Sequence, residues 1–497
     1  MNIAELLDQN PKPDDVALID RSQTPVREVS VAEITEQVHV FAQALMDLGL
    51  PPGSRIGLLA GNLGEYYTEM FGAPAAGLVF VPLNTRLPES TLLYIIDDAD
   101  LKLLVTDDQH AELEAGVPKV AIGSSQWDQM MAGTPAKTVA DVRPEDVAIQ
   151  IYTSGSTGNP KGVLLSHENI TFTVLEYGGA LPGEVMLVSA PLYHKNASMA
   201  SKLAFASGGR VVLLPQFSPA EYLQAITEHK VTMCSGVPTM YALVTAELQK
   251  TAEHHDLSSV QRVLIGSAPL TEALFDDVQA LFPHALVTNG YGTTEAVLEF
   301  GPHPQGLPRP KISLGCEHPE VQLKLIDPDS GAESGYGELW VKSKGVMLGY
   351  HGLPEANADR LTDGWYHTGD LMRRDDDGWY FFVGRVDDMF VCAGENIYPD
   401  SVEQMLERHP SVHQAVVVPV EDDLKGQLPT AFIRCEADVR ITVDEVKQYA
   451  LKNGPAYAHP RHVWFVDEIP LASTAKVDRA ALTKQAEELL TPDRDVQ

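Results

Sequence analysis

The sequence predicts an α/β protein: a large N-terminal domain of βα-layered sheets carrying a β subdomain, followed by a small α+β C-terminal domain. Three observations predict it. Between Arg55 and Gly290, short β-rich runs alternate with helix-period segments, the signature of βα units and largely parallel sheets. From Val321 to Val383 the pattern changes to strands separated by turn-forming clusters. After Gly384-Arg385-Val386-Asp387 a compact mixture of helix and strand signals begins. At roughly 100–200 residues per domain, a chain of 497 residues allows about three structural units. The expected division is 1–386, with the β subdomain at about 320–386, and 387–497.

In order along the chain, the expected strands are Arg55 to Leu59, Val79 to Leu83, Leu101 to Val105, Val147 to Ile151, Val211 to Leu214 and Arg262 to Ile265. Helical periodicity covers Ala220 to His229 and Thr271 to Leu281. In the β subdomain, Asp327-Pro328-Asp329-Ser330-Gly331 and Asp375-Asp376-Asp377-Gly378 suit antiparallel hairpins. In the C-terminal part a helix begins at Pro399, and strands follow at Gln414 to Val420 and Thr430 to Arg434. Thr442 with Glu445 three positions later forms a capping box for a helix that Gly454 ends.

Composition excludes several functions. Asp and Glu number 69 against 36 Lys and Arg, a formal charge of −33, which repels nucleic acid. No run approaches the ~18 apolar residues of a membrane helix, so no span is expected. The opening Met1-Asn2-Ile3-Ala4-Glu5-Leu6 has no basic n-region, and no secretory signal is expected. Cys234, Cys316, Cys392 and Cys435 form no C-x-x-C pair, as in a reducing compartment, and the expected location is cytoplasmic. There is no G-x-S-x-G elbow for a serine hydrolase, and His167-Glu168 lacks the second histidine of a zinc peptidase motif.

The most informative segment is Tyr152-Thr153-Ser154-Gly155-Ser156-Thr157-Gly158-Asn159-Pro160-Lys161-Gly162, directly after a strand. Small residues let backbone N–H groups turn inward, hydroxyls add donors, and Lys161 adds a point charge, together forming a polyphosphate cradle. Where a Walker A loop needs its second glycine this chain has Pro160, so P-loop hydrolysis is disfavoured.

That string resembles the phosphate loop of the acyl-adenylate-forming superfamily, which includes acyl- and aryl-CoA ligases, luciferases and peptide-synthetase adenylation domains. The resemblance continues in order through Gly290-Tyr291-Gly292-Thr293-Thr294-Glu295, Gly337-Glu338-Leu339-Trp340, Gly364-Trp365-Tyr366-His367-Thr368-Gly369-Asp370, Gly384-Arg385-Val386-Asp387-Asp388, Gly394-Glu395-Asn396-Ile397-Tyr398-Pro399 and Ser473-Thr474-Ala475-Lys476-Val477-Asp478-Arg479. The resemblance implies that Thr153, Ser154, Gly155, Ser156, Thr157, Gly158 and Lys161 hold the phosphates of ATP. It implies that Gly266-Ser267-Ala268 and Asn289-Gly290 line the adenine, with Tyr291 stacked on it and Gly292 and Thr293 beside it. Thr294 would bond the α-phosphate, Glu295 would ligate Mg²⁺, and Asp370 assisted by Arg385 would hold the ribose. By their type alone, Thr293-Thr294-Glu295 also suit a helix N-terminus. Lys476 would stabilise charge developing at the carboxylate and α-phosphate. The family's glycine before this lysine is Ala475 here. Asp387 matches the hinge about which the C-terminal domain swings, bringing Gly394 beside the pantetheine path.

The implied reaction is ATP-dependent: a carboxylic acid gives acyl-AMP and pyrophosphate, and coenzyme A then gives acyl-CoA and AMP. Tyr193-His194 matches the element separating acyl pocket from thiol tunnel, and Ala197, Ser198 and Val297 would line that pocket. Lys195, beside it, is expected to be solvated. The Gly-Arg-Val-Asp-Asp-Met and Gly-Glu-Asn-Ile-Tyr-Pro strings resemble benzoate-type and hydroxycinnamate-type ligases, which ranks an aromatic acid first. A medium-chain fatty acyl-CoA synthetase and a stand-alone enzyme loading a carrier protein are the alternatives. A homodimer stays open.

Overall fold

The protein was analysed as a computed structural model, which describes residues 1–153, 159–178, 181–250, 254–268, 270–297, 299–422, 425–435, 441–470 and 477–490. Two seven-stranded sheets dominate. The first runs in the order Leu286–Gly290, Arg262–Gly266, Met233–Gly236, Val185–Val188, Arg210–Leu213, Val16–Asp20, Arg27–Ser30. All its pairings are parallel except the last, a hairpin edge that the sequence pattern does not announce. The second sheet has the order Gly349–Tyr350, Lys161–Ser166, Val147–Thr153, Val79–Pro82, Arg55–Leu59, Leu101–Thr106, Lys119–Ala121. It is parallel through the five strands from Val147–Thr153 to Lys119–Ala121 and antiparallel where Val147–Thr153 meets Lys161–Ser166, so Thr153 lies opposite Lys161 across the base of the glycine-rich segment. Residues 154–158 of that segment lie outside the described residues.

The strands are buried on both faces, which is why they read as continuous apolar runs and not as alternation. One core joins the two sheets. It takes Phe80 and Ile149 from one, Val211 and Leu213 from the other, and Phe41, Met70, Phe71 and Phe205 from helices Val31–Asp47, Glu65–Ala75 and Lys195–Ala206. Phe205 packs edge-on against Tyr67 with ring centroids 5.0 Å apart, which fixes the third of these helices against the second.

The β subdomain is antiparallel, as its turn clusters predict. Gln322–Ile326 pairs with Tyr336–Lys342, which pairs with Trp365–Arg374, which pairs with Tyr380–Arg385. Beyond it, Gly426–Cys435 lies between the antiparallel Val412–Asp422 and the parallel His462–Phe465, with helices Pro399–Glu407, Val443–Asn453 and Arg479–Leu490. The capping box at Thr442 and Glu445 is present, and Gly454 caps the helix in extended backbone. Arg479 ties the last helix to the first of this region: its guanidinium donates to Asp400 at 2.7 Å and to Glu403 at 2.9 Å.

Candidate active site

The carboxyl ends of Arg262–Gly266 and Leu286–Gly290 meet in register at Gly266 and Gly290, the edge where ligands bind in open α/β sheets. Both positions require glycine for close approach. A Cβ on Gly266 would lie 2.7 Å from the Gly290 carbonyl oxygen, and one on Gly290 would lie 2.6 Å from Leu264. Ser267 leaves the first strand with φ at +66°, turning the chain sharply into Ala268.

Tyr291 leaves the second strand. Its ring packs edge-on against Phe300 at 5.7 Å, and its hydroxyl donates to Oδ2 of Asp370. Burial, with Asp370 and Glu299 nearby, raises the phenol well above its ordinary pKa, so it remains a donor. The other oxygen of Asp370 accepts from Arg385 Nη1 at 2.7 Å. These two residues face each other across the Trp365–Arg374 and Tyr380–Arg385 pair, so the sheet register itself sets the contact. Burial opposes the charge on Arg385, but Asp370, Asp387 and Asp388 outweigh it and hold the guanidinium protonated. The cluster is a buried carboxylate held by a phenol and a guanidinium beside an aromatic ring, suited to a ribose and base.

Thr293-Thr294-Glu295 does not open a helix. The Thr293 hydroxyl accepts from Ala296 N at 3.0 Å, and Thr293 N donates back to the Ala296 carbonyl at 3.0 Å, closing a tight turn that competes with helical bonding. This turn presents Glu295, whose Oε1 accepts from the Tyr350 hydroxyl at 2.9 Å. Lys161 Nζ lies 5.4 Å from the centroid of the same Tyr350 ring. Glu295, Tyr350 and Lys161 thus converge from three segments, and Tyr350 is a member that sequence reasoning missed. Its pairing with Val163, two residues from Lys161, follows from the sheet and has no local motif. Burial and the Glu295 charge raise the Tyr350 pKa, keeping its proton.

The residues expected to line the acyl pocket lie on and before helix Lys195–Ala206, apart from Val297. Tyr193 and His194 rings meet at 4.7 Å, His194 stands at the N-cap, and Ala197 and Ser198 are buried. Val297 lies beyond the turn, beside Gly292. Lys195, expected in solvent, is buried: its ammonium donates to the Thr294 carbonyl at 2.6 Å. Burial lowers its pKa, and Glu299 and Glu295 oppose that lowering. Glu299 is 1 % exposed, and burial raises its pKa while its own backbone amide and Lys195 draw it down.

Asn289, expected beside the nucleotide, donates its amide to the Ile312 carbonyl at 2.8 Å and so braces the strand end. Asp387 accepts from Arg360 at 3.0 Å and from Arg385 at 3.3 Å, which links it to the ribose-type cluster. Gly394, φ +86°, stands with Ala393 in an exposed turn between Phe390–Cys392 and Glu395–Ile397. Ser154, Gly155, Ser156, Thr157, Gly158 and Lys476 lie outside the described residues.

Comparison with known proteins agrees with this geometry. The family described as AMP-binding enzyme matches residues 7–351, and the AMP-binding enzyme C-terminal domain matches residues 401–476. A feruloyl-CoA synthase from an Amycolatopsis species is 33% identical over 460 residues, covering 90% of this chain and 92% of the relative. The 4-coumarate–CoA ligase 3 of Oryza sativa subsp. japonica is 30% identical over 480 residues, covering 91% and 86%. The crystal structure of ATP-bound MatB from Rhodopseudomonas palustris superposes with a TM-score of 0.90 at 27% identity, covering 99% of each chain. With family matches over both parts of the chain, and CoA-ligase relatives of 30% and 33% identity that span about nine-tenths of it, the protein belongs to the AMP-binding enzyme family and is an acyl-CoA synthetase.

Proposed function

We propose that the chain couples an aromatic carboxylic acid of the hydroxycinnamate or benzoate type to coenzyme A. The observation that carries the nucleotide half is that one short segment supplies both Tyr291, bonded with Arg385 to Asp370, and Glu295, bonded to Tyr350 near Lys161. The aromatic preference is supported by the relatives named for feruloyl-CoA and 4-coumarate.

In this reading Tyr291 stacks on adenine, and its hydroxyl with Arg385 fixes Asp370 so that both carboxylate oxygens are presented to the ribose. Thr294 and Lys161 bind phosphate oxygens, and Lys476 stabilises the charge that develops as the acid's carboxylate attacks the α-phosphate. Glu295 fits a hydrated Mg²⁺. It is a hard carboxylate steadied by a phenol, and among the described residues no group of three or more His, Cys, Asp or Glu forms an all-protein cage. Bound there, the ion would neutralise phosphate charge. His194 and Tyr193 separate the acyl pocket from the path of the thiol. The segment from residue 387 onward then turns about Asp387, withdrawing Lys476 and bringing Gly394 to the pantetheine.

The test is AMP release with CoA and each of ferulate, 4-coumarate, benzoate and hexanoate. A kcat/KM at least tenfold higher for one of the aromatic acids is expected, and a preference for hexanoate would overturn the aromatic assignment.

A further inference from the structure

Helix Lys195–Ala206 carries two buried lysines with different partners. Lys195, Ser198 and Lys202 follow i, i+3, i+7 spacing and share one face. At its outer end Lys195 is bonded to Thr294 and balanced by Glu299. Lys202 is 0 % exposed and has no such balance. Its ammonium lies 3.0 Å from Met70 Sδ, 3.3 Å from Ser198 Oγ and 3.5 Å from the Ser198 carbonyl, with the Phe71 ring 5.9 Å away. Among the described residues the one charge that acts on it is Lys195, another cation. A thioether and a hydroxyl are weak partners for an ammonium, and an uncompensated buried cation is a costly thing for a fold to keep. The side chain reaches back toward the N-terminus of its helix, as helical side chains do. Its charge therefore stands level with Ser198, about one turn, or ~5 Å, inward from Lys195.

We propose that Lys202 is a specificity-determining residue that takes an anionic group, a second carboxylate, at the end of the acid remote from the one being activated. The proposal deepens the acyl-CoA ligase reading, since it rests on Ser198 and its neighbours lining the acyl pocket. It does not depend on the acid being aromatic. A second carboxylate supplies the counter-charge the fold omits, next to Ser198 Oγ, which accepts from the ammonium and donates to the Lys195 carbonyl at 3.3 Å. Lys195 does not compete, because Thr294 and Glu299 engage it.

The test compares matched pairs differing only in the remote group: benzoate with terephthalate, cinnamate with 4-carboxycinnamate, and hexanoate with adipate. Each is assayed by AMP release with the wild-type chain and with Lys202→Met, which keeps the volume and removes the charge. The expected result is that in at least one pair the dicarboxylate has the higher kcat/KM by tenfold or more, and that Lys202→Met reduces this ratio to one or below. A wild type that favours the monocarboxylate in all three pairs overturns the proposal whether or not the variant folds, as does a dicarboxylate preference that survives in Lys202→Met. If adipate beats hexanoate while the aromatic acids are inert, the aromatic reading falls and the role of Lys202 stands.

Discussion

Replacing Lys202 by Met should make the protein more stable at neutral pH, with a gain that fades as the pH rises. Burial, together with the Lys195 charge, pushes the Lys202 ammonium down from 10.5 to about 7. The difference is about 3.5 pH units, and at 1.36 kcal/mol per unit it corresponds to about 5 kcal/mol charged against the fold when the lysine is protonated. At pH 6.5, just below that value, a gain of up to about 5 kcal/mol is therefore expected. Met is close to Lys in volume and finds Met70 and Phe71 already in place, so repacking adds little. The sign follows from proton counting. Between about pH 7 and 10.5 the unfolded chain keeps the Lys202 proton and the folded chain does not, so wild-type stability climbs with pH through that window. The variant lacks this climb. Urea unfolding of both proteins at pH 6.5, 8 and 9.5 measures the gap, which should be largest at 6.5 and shrink by about 1 kcal/mol or more per pH unit above 7. A gap that is constant with pH, or a variant less stable at pH 6.5, would refute the claim that Lys202 is buried without a counter-charge.

Lys476→Ala should lower the rate of acyl-AMP formation by ~10² or more while leaving the reaction of preformed acyl-AMP with CoA nearly intact, and assaying the two half-reactions separately checks it. Asp387→Pro should retain adenylation and lose thioester formation, because proline fixes φ near −65° at the proposed hinge. Asp387→Asn, which removes only the charge shared by Arg360 and Arg385, should lose far less. Tyr350→Phe removes the donor to Glu295 and should raise the Mg²⁺ concentration needed for half-maximal adenylation several-fold, with little change in the KM for the acid.

Those features of the site that depend on backbone were the ones legible in the sequence. Gly266 and Gly290 are glycines because two strand ends touch, and that constraint is visible as residue type at the end of an apolar run. Thr442 and Glu445 advertise their helix for the same reason, since a cap is a local bond between near neighbours. Asp370 and Arg385 could be named from their strings, and the antiparallel register explains why they act together. The turn at Thr293 misled because threonine side chains bond a helix N-terminus and a tight turn equally well, and the choice was made by the Ala296 amide and carbonyl.

What escaped was set by packing at long range. Tyr350 reaches Glu295 because a two-residue strand joins the edge beside Lys161, and nothing in its local sequence says so. Lys195 was expected in solvent, as lysines generally are, and Lys202 was not singled out. Their i, i+7 placement on one helical face, with Ser198 between, was a signal in plain view, but its meaning depends on helix Glu65–Ala75 bringing Met70 and Phe71 over that face.

The contrast between the two lysines separates scaffold from recognition. Lys195 spends its charge inside the protein, on the Thr294 carbonyl and near Glu299, and in doing so it holds the turn that presents Glu295. Removing it would loosen the turn that carries Thr294 and Glu295, whatever acid is bound. Lys202 touches a thioether, a serine and the edge of an aromatic cluster, surroundings in which a methionine would pack as well and cost nothing to desolvate. Among the described residues no carboxylate bonds the Lys202 amine, so the packing around it gives no reason for a lysine at that position. The same feature that weakens the fold therefore makes the pocket selective, and the stability gained by Lys202→Met and the selectivity lost by it are two measurements of one unpaired charge.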